Sequence, residues 1–287
     1  MRIIWCSGLE PEFFQGGCHM GPLLPDEVWY DIESLFPPQV ASSKGGRPPV
    51  THRQALTGII FILRTGLPWN MLPQEMNCGS GVTCWRRFHA WTNAGLWERI
   101  RLRILHLLGT GGGIDASQAV IDSASVRALA GGPHTGPNPT DRAKKGCKRH
   151  IITDRRGIPL VVQTGPANQR DDRRAFALLD AFPKIQGPRG RPRTRPLSLQ
   201  GDAGYGFPDL IREVRRRCIK PQLAPRGAAV PHGSGLGKTR YVVERTLAWF
   251  GNFRRIKFCY ERMGEHFQAF HELAAALICS KRLLPSA

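Results

Sequence analysis

Residues 119–123 read Ala-Val-Ile-Asp-Ser, an apolar run closed by an acid, and they predict a strand over about Ala119 to Val126. After a long polar loop come two further runs, His150-Ile151-Ile152-Thr153 and Ile158-Pro159-Leu160-Val161-Val162, separated by Asp154-Arg155-Arg156-Gly157. Two β-rich runs around a glycine-containing turn are a hairpin signature. A helix follows over Asp172 to Phe182, a strand over Leu197 to Asp202, a helix over Phe207 to Arg217, a short strand over Ile219 to Gln222, and a long helical region from near Arg240. This order of elements predicts an α/β domain, a mixed sheet flanked by helices.

Upstream, Gly109-Thr110-Gly111-Gly112-Gly113 is the clearest break in the chain, because such a run has few side chains to pack and favours no helix. The domain boundary is placed there, giving a helical unit over 21–110 and an α/β unit over 114–283. Asp26 and Glu27 open a helix that ends before Pro37-Pro38, and Lys44-Gly45-Gly46-Arg47-Pro48-Pro49 is a basic loop. Thr51 and Gln54 form a capping-box pattern ahead of an apolar-periodic run to Thr65, and Gly66-Leu67-Pro68 ends it. A third helix over Val82 to Trp91 carries Trp85, Phe88 and Trp91 toward one side and Arg86 and Arg87 toward another, and a fourth runs from Leu96 to Leu108. Two readings stay open: a helix-turn-helix-like DNA-binding unit, and a bundle whose arginines are only solvated. Trp85 and Trp91 read as core. Residues 1–20 match no element and are expected to be a disordered extension, with Met20 an alternative start.

The chain has 287 residues, a formal charge of +19 and a pI near 10.4, which point to a polyanionic partner, and its basic set is dominated by Arg, which suits bidentate phosphate contact. The longest apolar stretch, Gly58 to Leu63, is far short of the roughly 20 residues that cross a bilayer, and Glu10, Pro11 and Glu12 interrupt any signal-peptide core. A cytoplasmic protein without membrane attachment is expected. The eight cysteines show no CxxC pair or convincing zinc spacing, so they read as buried, reduced thiols.

Three acids stand in distinctive settings: Asp122, Asp202 in Gln200-Gly201-Asp202-Ala203-Gly204-Tyr205, and Glu244 in Arg240-Tyr241-Val242-Val243-Glu244-Arg245. Carboxylates gathered from distant parts of a chain are tolerated chiefly when cations neutralise them, and magnesium suits phosphoryl transfer. Asp115 lies too near the glycine break to sit in the strand, Asp154 belongs to the hairpin turn, and Asp171 and Asp172 to a helix N-terminus. Gly233-Ser234-Gly235-Leu236-Gly237-Lys238-Thr239 suggests a P-loop, but His232 stands where the first glycine is required, so no nucleotide cofactor is expected.

The element order and the motifs around Asp122, Asp202 and Glu244, the last extending through Thr246-Leu247-Ala248-Trp249-Phe250, resemble the DDE transposases of bacterial insertion sequences, the group typified by insertion sequence five. Gly66-Leu67-Pro68-Trp69, Lys148 to Gly157 and Gly190-Arg191-Pro192-Arg193 add to the likeness, which spans about Leu24 to Leu283. The resemblance implies an RNase H-like catalytic domain in which Asp122, Asp202 and Glu244 bind two Mg2+ ions, with Mn2+ able to substitute. It implies binding of terminal inverted repeats, DNA strand cleavage and strand transfer, and a homo-oligomer on double-stranded DNA. Arg240, one turn before Glu244, matches the family's basic position.

Basic residues flank the proposed site and are expected to face DNA: Arg86 and Arg87 in the helical unit, then Lys144, Lys145, Lys148, Arg149, Arg191, Arg193, Lys238, Arg240, Arg254 and Arg255. His271 and Cys279 read as packing. The rival functions are a non-catalytic DNA-binding derivative of a transposase and an RNase H-like nuclease.

Overall fold

The computed structural model describes residues 22–39, 48–224 and 236–283, with side chains from residue 241 in the last stretch. The expected extension over 1–20, residues 44–47 of the basic loop and Gly233 to Gly235 lie outside the described residues.

Six strands form one sheet: β1 (Gln118–Arg127), β2 (Gly136–Pro137), β3 (Lys145–Asp154), β4 (Pro159–Pro166), β5 (Ser198–Gly201) and β6 (Lys220–Leu223). β3 runs antiparallel to β1 and to β4, while β5 and β6 continue the sheet parallel to β1. Two-residue β2, which the sequence did not announce, pairs with the start of β3. The long strands thus run β4-β3-β1-β5-β6, an RNase H-like order in which β1 is central. Ala119, Val120 and Ile121 are accordingly buried together, as a strand covered on both faces requires.

Alternation along β1 assigns the helices to faces. Ser123 points to the face of α5 (Asp171–Asp180), where its hydroxyl donates to Asp171 Oδ1 at 2.8 Å. Ala124 points the other way and lies opposite Arg149, which in turn lies opposite Thr164. Thr164 donates to Gln268 Oε1 of α8 (Gly264–Ser280), so α8 covers that second face. α7 (Leu236–Gly251) packs against both α8 and β1, with Phe250 stacked on His271 of α8. It starts one turn earlier than the sequence suggested, so Leu236 to Thr239 are helix rather than loop. α6 (Pro208–Arg216) bridges β5 to β6.

The helical unit comprises α1 (Asp26–Ile32), α2 (His52–Thr65), α3 (Gly81–Asn93) and α4 (Leu96–Thr110). The capping box at Thr51 and Gln54 is formed in both directions, and Gly66 ends α2 with a left-handed φ of 73°. Phe88 and Trp91 face the core, but Trp85 is 39% exposed and stacks on His89, which corrects its assignment to the core: it lies one residue after buried Cys84 and turns off the apolar stripe. α4 lies along α8, joined by a buried ion pair between Arg101 and Glu272, and Arg101 also donates to the Leu160 carbonyl of β4. One hydrophobic core runs from Leu24 to Cys279 through both units.

Two expectations follow for stability. At Gly81 a Cβ would sit 1.6 Å from the Trp69 carbonyl oxygen, so Gly81→Ala is expected to cost about 3 kcal/mol in urea unfolding. His271 is fully enclosed, and burial, with the Arg149 charge second, pushes its imidazole down to about 3 from 6.5. The native state therefore refuses a proton that the unfolded chain accepts. Stability is untouched above the unfolded value and falls as pH drops from about 6.5 toward 3, by about 1.4 kcal/mol per pH unit from this group. Between about pH 6 and pH 4.5 the fall in unfolding free energy should be shallower in His271→Leu than in the native chain, the difference being the contribution of His271.

Candidate active site

The parallel register of β1 and β5 pairs Gln118 with Ser198, Ala119 with Leu199 and Val120 with Gln200. The paired ladder ends at Val120 and Gln200, and Asp122 and Asp202 each follow two residues later on the neighbouring strands, both close enough to act electrostatically on Tyr205. Both acids share the parity of Val120 and Gln200, so they lie toward the α7 and α8 face. Gln118 donates to Gln200 and Gln222 at 2.9 and 2.8 Å on that same face, a polar rung across β1, β5 and β6.

Backbone donors fix one oxygen of each carboxylate. Asp122 Oδ1 accepts from Ser123 N at 2.8 Å, and Asp202 Oδ1 accepts from Gly204 N at 2.9 Å as the cap of the short turn Ala203–Tyr205. That turn returns Tyr205 beneath the pair, where it is 1% exposed. Burial, followed by the negative charges of Asp171, Asp122 and Asp202, pushes its phenol well above the ordinary value. Its hydroxyl sits beside Ser123 without a hydrogen bond of normal geometry.

Glu244 lies on α7 immediately after fully buried Val243 and is itself exposed at the border of the sheet-facing stripe. α7 is held by the hairpin turn: Thr246 Oγ1 donates to the Gly157 carbonyl at 2.7 Å and Arg245 to the Arg156 carbonyl at 2.7 Å. The described geometry therefore brings Asp122 and Asp202 together and sets Glu244 on the helix over the same face.

The other acids do structural work. Asp154 is buried and accepts from the backbone of Asp115, Arg156 and Ile158 at 2.7–2.9 Å, which closes the hairpin. Asp115 precedes β1 and caps Ser117 N. Asp171 collects Ser123, Lys148 at 3.1 Å and the ring of His150 at 3.5 Å on the α5 face. Burial pushes His150 down to about 4, although Asp171 pulls the other way.

The basic residues divide. Arg86, Lys144, Lys145, Arg191, Arg193 and Arg254 are exposed. Arg149 and Arg255 correct the sequence expectation of a DNA-facing surface: Arg149 is 6% exposed on the inner sheet face, where burial lowers its guanidinium to about 10, and Arg255 is 8% exposed and paired with Glu261 at 2.7 Å. Arg149 lies in β3 on the face that α8 covers, and the short turn after α7 sends Arg255 inward while Arg254 stays exposed. Lys148 is engaged by Asp171, and Arg87 reaches His52 Nδ1 at 2.7 Å and the Val50 carbonyl at 3.2 Å. The side chains of Lys238 and Arg240 lie outside the described ones.

Sequence reasoning missed a cavity of about 700 Å³ where the ends of α2, α7 and α8 meet. Among the described residues, Arg64, Arg254, Lys281 and Arg282 line it with Trp249, Asn252 and Phe253, and no carboxylate does. Arg245 and Arg282 lie over the Trp249 ring at 5.0 and 5.2 Å. Its residues come from three separate segments, so no local run announced it.

Two family models match the chain: "Putative transposase of IS4/5 family" over residues 24–101 and "Transposase DDE domain" over residues 114–279. Among curated proteins, "Putative transposase for insertion sequence element IS402" of Burkholderia cepacia is 47% identical over 149 residues, covering 52% of this chain and 70% of that protein. "Insertion element IS402 uncharacterized 16.2 kDa protein" from the same organism is 48% identical over 120 residues, covering 41% of this chain and 82% of that protein. Among solved structures, "Crystal structure of a pre-cleavage Mos1 transpososome" aligns with a TM-score of 0.26 and 10% identity over 91% of this chain and 87% of that one, a likeness on which nothing below rests.

Arg87 and Arg86 provide a test of this division. Arg87→Ala should cost about 1–2 kcal/mol in urea unfolding by releasing the Val50 carbonyl and His52. Arg86→Ala should leave stability within about 0.5 kcal/mol.

Proposed function

This chain belongs to the DDE-domain transposases of the IS4/5 group, and from that membership we propose that it binds the terminal inverted repeats of its own element, cuts DNA there and joins the freed ends to a target. What supports the reading is the parallel register of β1 and β5, whose strands carry Asp122 and lead into Asp202 two residues beyond the last paired rung, with α7, the helix that bears Glu244, packed against both strands. Adjacent carboxylates on neighbouring strands repel unless cations lie between them, and all the donors are hard oxygens, so the set fits Mg2+, or Mn2+ in its place. Asp122, Asp202 and Glu244 would hold two such ions, which supply charge neutralisation at the reacting phosphate when bound.

The chain's own residues give the site its rigidity. Ser123 N and Gly204 N hold one oxygen of each aspartate in place, and Tyr205 fills the space below. In the first step water adds to phosphorus as the 3′-oxygen leaves with the proton balance restored by solvent. In the second, that 3′-hydroxyl attacks a target phosphodiester and displaces its 3′-oxygen, so the number of phosphodiester bonds is conserved. Exposed Arg86, Lys144, Lys145, Arg191, Arg193 and Arg254, with Lys238 and Arg240, would neutralise the backbone phosphates, and the basic cavity at Trp249 extends that surface. Two DNA ends have to be handled together, so a homo-oligomer on double-stranded DNA is part of the proposal.

A labelled duplex carrying the DNA that flanks the gene tests this. Mg2+-dependent nicking at the repeat end should fall by about a hundredfold or more in Asp122→Asn, Asp202→Asn and Glu244→Gln, with duplex affinity retained. Tight binding without cutting by the native chain would replace the enzyme with a DNA-binding derivative. Arg86→Ala should weaken binding at all sequences and lower the salt slope by about one.

A further inference from the structure

Away from the acids, three metal-ligating side chains from distant parts of the chain meet at the far end of β1. His134 comes from the loop before β2, Cys147 from β3, and Cys259 from the segment after α7, and their ligand atoms all lie within 4.8 Å of one another. His134 Nε2 is 3.3 Å from Cys259 Sγ, and both cysteines are fully buried. The backbones that carry the two cysteines are tied together through the end of β1 before any side chain acts. Cys259 N donates to the Arg127 carbonyl at 2.9 Å, Leu129 N to the Cys259 carbonyl at 3.0 Å, and Ala128 N to the Lys145 carbonyl at 2.9 Å.

A tetrahedral ion with Zn–S near 2.3 Å and Zn–N near 2.0 Å has ligand-to-ligand edges of about 3.5–3.8 Å, so the cluster accommodates it if side chains shift so that its longest edge closes by about an ångström. Two thiolates and an imidazole select a borderline-soft divalent ion over Mg2+. The second ring nitrogen of His134, Nδ1, is buried without a hydrogen-bond partner, and Glu261 and Glu265 bring negative charge toward the ring. Hydrogen bonds from the thiols to backbone carbonyls are long, 3.8 Å for Cys147 to His134 and 3.6 Å for Cys259 to Glu261, so little is lost when the thiol protons leave.

We propose that His134, Cys147 and Cys259 form a zinc site, with solvent as the fourth ligand on the half-buried His134 side. Binding replaces two S–H bonds by two S–Zn bonds and releases two protons to solvent. The ion pins the chain that leaves α7, the helix of Glu244, to the ends of β1 and β3, and β1 carries Asp122. It is a positioning site, distinct in ligands and in place from the carboxylate site.

The test uses the full-length chain, purified under reducing conditions and loaded with Zn2+ or Co2+, then dialysed. About one zinc per chain should remain, and the cobalt form should show the near-ultraviolet thiolate charge-transfer band and strong visible bands of a four-coordinate site, which a carboxylate site cannot give. Cys147→Ser and Cys259→Ser should lose the band and the retained metal. Cys279→Ser, at a buried thiol outside the cluster, and Asp122→Asn should keep both. Added Zn2+ should raise the melting temperature of the native chain in a concentration-dependent way. If a cysteine variant fails to fold, the native chain decides alone: a folded native chain with no retained zinc and no thiolate band overturns the proposal. A Cys147–Cys259 disulfide, located by peptide mapping under non-reducing conditions, would overturn it as well.

Discussion

The structure depends on the placement of one strand. β1 is antiparallel to β3 on one side and parallel to β5 on the other, and every functional element is referred to it. Parallel pairing brings Asp202 beside Asp122 although 79 residues of chain lie between them, because the register leaves the end of β5 only that position. Alternation does the rest. Asp122 faces α7, while the next residue, Ser123, faces α5 and joins the Asp171 network. A one-residue slip of β1 would exchange these two environments, so the buried apolar residues that fix the register also fix the chemistry.

The helical unit and the sheet are held to each other through the interior. α4 packs along α8, and Arg101 reaches both Glu272 and the Leu160 carbonyl. A buried ion pair contributes little net stability, since two charges lose their water, but either charge left without the other is costly, so the pair specifies one docking of α4 on α8. Trp69 and Phe88 stack on Phe270 around the same seam. Movement of the helical unit on the sheet therefore has to break a packed interior, so α3 and the acids are held in one fixed relation.

The parts of the fold legible in the sequence were those set by local chemistry. Thr51, Gln54 and Gly66 delimit α2 because caps are determined within four residues, and Asp154 to Gly157 mark the hairpin for the same reason. β2 was missed because two residues carry no period, and α7 was started late because Gly237 weakens a helical pattern that packing completes. The candidate site was half legible. Asp122 and Asp202 are marked by the strands they end or occupy, but the inward turn of Arg149 and Arg255 follows from pairings made at long range. His134, Cys147 and Cys259 show no ligand spacing along the chain, since the sheet and the Ala128–Cys259 bridge assemble them.

That sorting of the arginines bears on how the charge of +19 is used. Arg101, Arg149 and Arg255 are sequestered, Arg87 and Lys148 are occupied, and Arg216 and Arg217 are balanced by Glu213 and Asp180. Exposed basic residues remain on several elements, among them Arg86, Lys144, Lys145, Arg191, Arg193 and Arg254, and the cavity at Trp249 adds Lys281 and Arg282. Unbalanced charges held close together raise the free energy of the bare protein, and each phosphate they neutralise releases condensed counterions from DNA. The surface is thus destabilised in isolation by the same groups that favour the complex. On the proposed function, cations would relieve the mutual repulsion of the acids as DNA relieves that of the basic surface, so the two ligands would answer opposite electrostatic strains.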